Sequence, residues 1–176
     1  MASAPTHARR IPAGSGNGAI GPLPARWNRH RVALGELARY LGSVSILVVG
    51  AVHAQQYYEA YFSVVPTIGT LFFLSFIGAG IVGVVLVAPV RRLGRNLGDL
   101  ILVLAALGAI GIAAGSLVSL LISEYMPLFG FMESGYRLAI VLAIVFDALA
   151  TVFLGVFVLI VGPRLVKTLT PERRTP

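Results

Sequence analysis

Four long apolar runs dominate the sequence, and charged or turn-forming residues separate them. They cover about residues 34–54, 66–90, 100–123 and 136–162. A helix that crosses a membrane needs about 20 mainly apolar residues, and each run reaches that length, the first by including its polar entry side. Hydrocarbon offers no partner for free backbone groups, so each run must be helical. The sequence therefore predicts an all-α membrane protein, an up-down bundle of four transmembrane helices within residues 34–163.

The composition excludes an ordinary water-soluble domain. Charged residues make up 12% of the chain, whereas soluble domains contain about 25%. The chain has no cysteine, which excludes disulfides, thiolate metal sites and cysteine nucleophiles. It also contains no phosphate-binding loop, zinc-protease motif or nucleophile elbow. The sequence thus gives no positive sign of an enzyme.

Two basic segments flank the apolar region. Residues 1–33, rich in glycine, proline and arginine, are predicted to be a disordered basic tail, and residues 164–176 form a second basic tail. A net charge of +7 would fit nucleic acid, but the charges lie at the ends of apolar runs, which favours the lipid bilayer as partner. The alternative, a signal peptide cleaved after Ala54, would need an unusually long segment before its apolar core.

The positions of the arginines predict an orientation. Of the 14 positively charged side chains, all except Arg137 lie in the two tails, at the entry of the first run, or in the loop between the second and third runs. Positive residues remain on the cytoplasmic side. We therefore expect a multi-pass protein of the plasma (inner) membrane with both termini in the cytoplasm.

Asp147 is the exception in the fourth apolar run. It lies ten residues after Arg137 and seventeen before Arg164, near the middle of a bilayer, where a carboxylate costs at least about 2.5 kcal/mol. Equal distances from the outer ends of the runs place three sites at its depth: Ser43 or Ser45, Ser75 and Ser116. Such a polar group could bind a proton, a cation or a polar substrate group, or it could be a structural interhelical hydrogen bond.

A second candidate site is the polar rim at the outer face. His53 and Tyr57 share one helix face, Gln55 and Glu59 are one turn apart, and so are Glu133 and Arg137. The candidate residues of this rim are His53, Tyr57, Glu59, Glu124, Glu133 and Arg137. A histidine with carboxylates could ligate a metal of unknown identity, but an aromatic belt with stray polar residues is favoured. No cofactor is predicted. A haem that transfers electrons usually has two axial ligands, and His53 is the only histidine near the membrane.

Small residues form a stripe on the third run, where Gly111 and Gly115 make a GxxxG pattern. Such stripes let helices approach closely. We expect this stripe, which Gly108 and Ser119 extend, to serve packing inside the bundle. The same is expected of a similar stripe on the second run, formed by Gly78, Gly80 and Gly83.

Two segments carry a resemblance to known proteins. They read VHAQQYYEAYFSVVPTIGTLFFL and PLFGFMESGYRLAI. Across about residues 50–150 the chain resembles uncharacterised four-span membrane proteins of actinobacteria, which share a His…Tyr…Pro-Thr-Ile-Gly-Thr-Leu-Phe pattern. The resemblance implies four spans and no particular activity.

The leading functional hypothesis is a non-enzymatic accessory or transport-related subunit of a membrane. Asp147 would be its polar centre, and the outer rim would contact a membrane-protein partner or a second copy of the chain. The alternative hypothesis is a membrane redox or metal-binding component that uses the His and Glu residues of the rim.

Overall fold

Four long helices and no strands make up the part of the chain that the structure, a computed structural model, describes: residues 25–59, 64, 66–127 and 138–170. The helices are α1 (Ala25–Glu59), α2 (Pro66–Val87), α3 (Arg95–Tyr125) and α4 (Leu138–Leu169). Each is long and apolar enough to cross a membrane. The predicted fold class, an all-helical bundle of four membrane-spanning helices, is confirmed.

Three helices extend beyond their apolar runs, α3 by a few residues and α1 and α4 by more. α1 begins at Ala25, so residues 25–33, which the sequence analysis assigns to the basic tail, are helical. No proline or glycine interrupts the chain between Pro24 and Gly35, and a helix need not end where the apolar residues end. α4 likewise continues through Pro163 to Leu169, although proline removes one backbone hydrogen bond.

The connection between α2 and α3 is a tight basic turn. A short 3₁₀ helix (Val90–Leu93) leads to Gly94, which has a φ of 117°, a conformation that glycine adopts at no steric cost. α3 then begins at Arg95, and its first turn packs against the backbone of the 3₁₀ helix. A Cβ atom at Gly98 would lie 2.6 Å from the Cα of Arg91, so only glycine allows this close approach.

The helices pack in the cyclic order α1, α2, α3, α4. α1 lies against α2 and α4, α3 lies against the same two helices, and direct contact between α1 and α3 is slight. The fully buried core includes Ile46, Leu86, Leu102, Leu154 and Phe157. Because consecutive helices are antiparallel, the start of α1, the α2–α3 turn and the end of α4 share one end of the bundle, here called the basic end. The other is the far end.

The outward surface of the bundle is apolar. Large aliphatic side chains on every helix are exposed, among them Val44, Ile81, Leu104 and Leu159. Helices that are hydrophobic all round suit a lipid environment. Four such helices are consistent with a multi-pass membrane protein.

An ion-pair network joins three segments at the basic end, and we call it the Glu36 network. Arg39, only 5% exposed, contacts Glu36 through Nε and Nη2 at 3.1 and 2.8 Å and donates to the carbonyl of Leu86 at 2.6 Å. Arg91 bonds both Glu36 and Asp99. Within the network the side chain of Arg39 is buried, whereas those of Glu36 and Arg91 are partly exposed.

Candidate functional site

Asp147 lies in the interior of the bundle on α4. Its side chain is 0% exposed, and neither carboxyl oxygen has a hydrogen-bond partner among the described residues. A buried carboxylate without partners is costly, so such a group takes up a proton or acquires a partner. Its position at the centre of an apolar bundle therefore requires a reason.

His53 of α1 is the other buried titratable side chain of this region, at 6% exposed. Its Nδ1 lies 2.8 Å from the carbonyl oxygen of Val49, and its ring packs on Phe72 with centroids 5.3 Å apart. A carbonyl can only accept a hydrogen bond, so Nδ1 carries a proton. In the neutral ring Nε2 then presents a lone pair.

Ser116 of α3 lies between these two groups. Its Oγ is 3.3 Å from Nε2 of His53, and the residue lies close to the carboxyl of Asp147 without a hydrogen bond to it. Side chains on a helix lean toward its N-terminus, and α4 begins at the far end, so Asp147 leans toward the level of Ser116. The three residues, which we call the polar triad, thus bring α1, α3 and α4 together.

The donors and acceptors of the triad set the order in which its hydrogen bonds run, from Asp147 through Ser116 to His53. Ser116 donates its hydroxyl hydrogen to the lone pair on Nε2 of His53, and its oxygen retains lone pairs that can accept. A protonated Asp147 is the donor that completes this order. Its carboxyl proton would face the serine oxygen, so after a small movement of the carboxyl group its O–H, the serine hydroxyl and both imidazole nitrogens would have partners.

A cavity of about 370 Å³ adjoins the triad in the half of the bundle toward the far end. Side chains of all four helices line it, mostly aliphatic or aromatic. The polar lining residues are His53, Gln56, Ser75, Ser116, Ser119 and Ser123. Ligand-binding pockets in proteins commonly have volumes of about 300–1,000 Å³ and an apolar lining with a few polar groups. The cavity has both properties.

Two glycines on α3 explain why this space is open. A Cβ atom built at Gly111 or Gly115 meets no heavy atom within 4 Å, and both residues line the cavity. The expected packing role of this stripe is therefore not what the structure shows. The stripe on α2 does pack closely, since a Cβ at Gly83 would lie 2.6 Å from the side chain of Leu47 and one at Gly78 3.0 Å from that of Ile112. Gly42 allows a similar approach, with the side chain of Leu154 2.5 Å from its Cβ position.

The serines predicted to share the depth of Asp147 have different positions. Ser43 is buried but donates to the carbonyl of Gly83 at 2.9 Å, and Ser45 bonds the carbonyl of Leu41 in its own helix. Ser75 lines the cavity. Of the four predicted serines, Ser116 is the one that lies close to the carboxyl of Asp147.

The length of α1 explains the difference. A Cβ at Gly42 would lie 3.3 Å from the backbone nitrogen of Leu154, and Leu154 is seven residues beyond Asp147, about 10 Å along the helix. The prediction took residue 54 as the outer end of the first span, but α1 continues to Glu59. Asp147 lies nine residues from Leu138, where α4 begins. Nine residues from the end of α1 is Gly50, so Gly50, and not Ser43, lies at the depth of Asp147.

The outer rim does not form one group. His53 belongs to the interior, whereas Glu59 is exposed and accepts a hydrogen bond from Gln55 at 3.1 Å. Tyr57 packs against Tyr58 and Phe73 with centroids 4.9 and 5.6 Å apart. Glu124 lies in the last turn of α3 and is half-buried. Glu133 and Arg137 lie outside the described residues.

A metal site has no ligand set in the described part of the chain. No three His, Cys, Asp or Glu side chains gather there. The buried histidine already engages Val49 through Nδ1 and Ser116 through Nε2. The residues that the sequence analysis grouped as candidate ligands are thus divided between the interior and the surface.

The pairing of His53 with Ser116 is what reasoning from sequence missed. A signal existed, because His53 is the one histidine beside an apolar run and Ser116 lies within another. Their contact depends on helix rotation and register, which periodicity alone does not supply. No protein-family model, curated protein or solved structure matches this chain.

Proposed function

We propose that this chain is a non-enzymatic, transport-related membrane protein whose polar triad binds and exchanges a proton. The observation that carries the proposal is the fully buried carboxyl of Asp147, unpartnered among the described residues and adjacent to a serine that bonds a buried histidine. Ionisable groups inside a membrane commonly mark ion or proton pathways.

The chemistry of the triad favours a proton over a metal cation. The carboxyl proton of Asp147 can pass to the oxygen of Ser116 while the serine proton passes to Nε2 of His53. The products are a carboxylate and an imidazolium, so the total charge is unchanged. A hard cation such as Ca²⁺ takes six to eight oxygen ligands, and the triad offers one carboxyl and one hydroxyl.

Few other charges act on the triad. At its level α2, α3 and α4 contribute no further titratable side chain among the described residues, and α1 contributes only His53. The remaining charged groups of the described residues lie toward the two ends of the helices, among them Glu36, Arg39 and Asp99 at the basic end and Glu59 and Glu124 at the far end. Proton uptake inside the bundle is therefore assigned to Asp147 and His53.

We further propose that the protein lies in the plasma membrane with both termini in the cytoplasm. The basic end supports this orientation, because Arg29, Arg95 and Arg164 from three helices line one groove there. Basic grooves at the cytoplasmic surface attract anionic lipid headgroups. A membrane-protein partner or second copy at the far end, and membership of the actinobacterial four-span group, stay predictions.

Infrared difference spectroscopy tests proton binding directly. In lipid nanodiscs at pH 7 we expect a C=O stretching band of a protonated carboxyl, which Asp147→Asn removes and the exposed control Glu59→Gln retains. Ser116→Ala should move the band to higher frequency, because the carboxyl loses its acceptor. Persistence of the band in Asp147→Asn would refute the assignment.

Proteoliposomes test the transport role. A potassium diffusion potential, negative inside, should acidify vesicles that contain the wild-type protein faster than empty vesicles, as reported by an enclosed pH dye. Asp147→Asn should reduce the rate to that of empty vesicles, with Glu59→Gln again as the control. Equal rates in all samples would reject proton conduction while leaving proton binding to the infrared result.

A further inference from the structure

We propose that the cavity beside the polar triad binds a small, neutral, mainly apolar molecule that donates a hydroxyl hydrogen to Nε2 of His53. This inference rests on the proposed function because it assigns a ligand class to the same site. It goes further by stating which end of the ligand the protein recognises and which protein atom does so.

The first argument is the shape of α3. Gly111 and Gly115 lie one turn apart, and the space where each would carry a Cβ is open. A side chain at either position would project into the cavity that both residues line. Gly80 and Gly155 also have open space at the Cβ position, but Gly111 and Gly115 are the two such glycines that line the cavity.

The second argument is the charge of the lining. No lining residue among those described is an acid, a lysine or an arginine, and the remaining polar groups are hydroxyls, one amide and the imidazole. A charged group of either sign would lose its hydration there without gaining a counter-charge from the lining. The ligand is therefore neutral.

The third argument is the state of His53. Because Nδ1 donates to the carbonyl of Val49, Nε2 of the neutral ring can only accept. Its contact with Ser116 is 3.3 Å long, beyond the usual 2.7–3.2 Å for a hydrogen bond that involves nitrogen and oxygen. An alcohol or phenol that enters the cavity would displace the hydroxyl of Ser116 from the single lone pair of Nε2 and form a shorter hydrogen bond, whereas a ketone or ether has no hydrogen to donate.

Two aromatic probes of nearly equal shape test this selectivity. 1-Naphthol carries a donor hydroxyl, and 1-methoxynaphthalene presents the same rings without a donor. Equilibrium dialysis against protein in nanodiscs, with empty nanodiscs as the lipid-partition control, should give saturable binding of 1-naphthol. We expect the methoxy compound to bind at least about tenfold more weakly, because it cannot form the hydrogen bond to Nε2 that replaces the long contact with Ser116.

Cavity-filling variants test the location. Gly111→Leu and Gly115→Leu should each abolish saturable binding, because the added side chain occupies the cavity. Gly155→Leu is the matched control, since Gly155 on α4 also has open space at its Cβ but does not line the cavity. Circular dichroism and size-exclusion chromatography verify that each variant folds. Because there are two filling variants, the test can still be made if one of them does not fold.

The role of the imidazole has its own variant. His53→Phe should bind both probes with similar affinity, because selectivity for the hydroxyl depends on Nε2. Saturable binding that survives both filling variants, or equal affinity of the wild type for the two probes, would overturn the inference. The infrared band of Asp147 is independent of these measurements, so loss of the ligand site and failure of the proposed proton site can be told apart.

Discussion

Burial of the Asp147 carboxyl costs free energy that its immediate surroundings do not offset. The carboxyl is fully buried without a hydrogen-bond partner among the described residues, and a polar group left so costs about 1–3 kcal/mol. Interhelical hydrogen bonds in membranes contribute only about 0.6 kcal/mol on average. A residue kept for stability alone would be a poor choice at this position.

Replacement of the carboxyl by an apolar group of similar size should therefore not destabilise the bundle. We expect Asp147→Val to unfold in detergent at the same temperature as the wild type or higher. Leu154→Ala, at a fully buried position of the same helix, is the comparison and should cost about 2–5 kcal/mol. A loss of similar size in Asp147→Val would identify Asp147 as a structural residue.

At the scale of the elements, the Glu36 network ties α1 to the start of α3. Glu36 bonds Arg39 within its own helix and Arg91 from the turn before α3, and Arg91 also bonds Asp99. Although partial burial alone would lower the pKa of Arg91, hydrogen bonds and Coulombic attraction from Glu36 and Asp99 raise it. Arg91 therefore remains charged at every physiological pH.

Removal of the central carboxylate should loosen the basic end. Glu36→Gln leaves the buried guanidinium of Arg39 without its counter-charge, and we expect a loss of about 2–4 kcal/mol in the free energy of unfolding. Glu59→Gln is the control, because the exposed pair with Gln55 contributes at most about 0.5 kcal/mol.

The pH dependence of that loss follows from the sign of the shift. A pKa raised by folding stabilises the native state at all pH values below the unfolded value, and this contribution disappears only as pH rises through the folded value. Titration of Arg91 therefore adds no slope to stability between pH 6 and 9, a range well below the ordinary arginine value. Loss of the Glu36→Gln effect at the alkaline end of this range would contradict the assigned network.

At the scale of the whole molecule, charge is distributed unequally between the ends. The basic end contains Arg29, Arg39, Arg91, Arg95 and Arg164, whereas the described residues of the far end contain Glu59 and Glu124 and no lysine or arginine. In a membrane such a charge asymmetry sets the orientation of the helices. The neutral cavity lies in the half of the bundle toward the far end.

Orientation can be tested by labelling, because the chain has no native cysteine. Ser15→Cys and Ser134→Cys, in the N-terminal tail and the connection between α3 and α4, should react with a membrane-impermeant maleimide from opposite sides of intact cells and inverted vesicles. Only Ser134→Cys should react in intact cells. Labelling of both from the same side would require a different number of crossings between them.

The order of residues along the chain was enough to predict the four helices, their antiparallel arrangement and the placement of one carboxyl, that of Asp147, within an apolar run. The length of an apolar run and the positions of charges can be read directly from the sequence. Tertiary structure alone decided which groups meet Asp147. The register of α1 against α4 depends on the continuation of α1 to Glu59 and on close approach at Gly42, and together these exclude Ser43 and bring in Ser116 and His53. The cavity has the same origin, since a glycine stripe packs tightly or lines open space according to the side chains that other helices place opposite it.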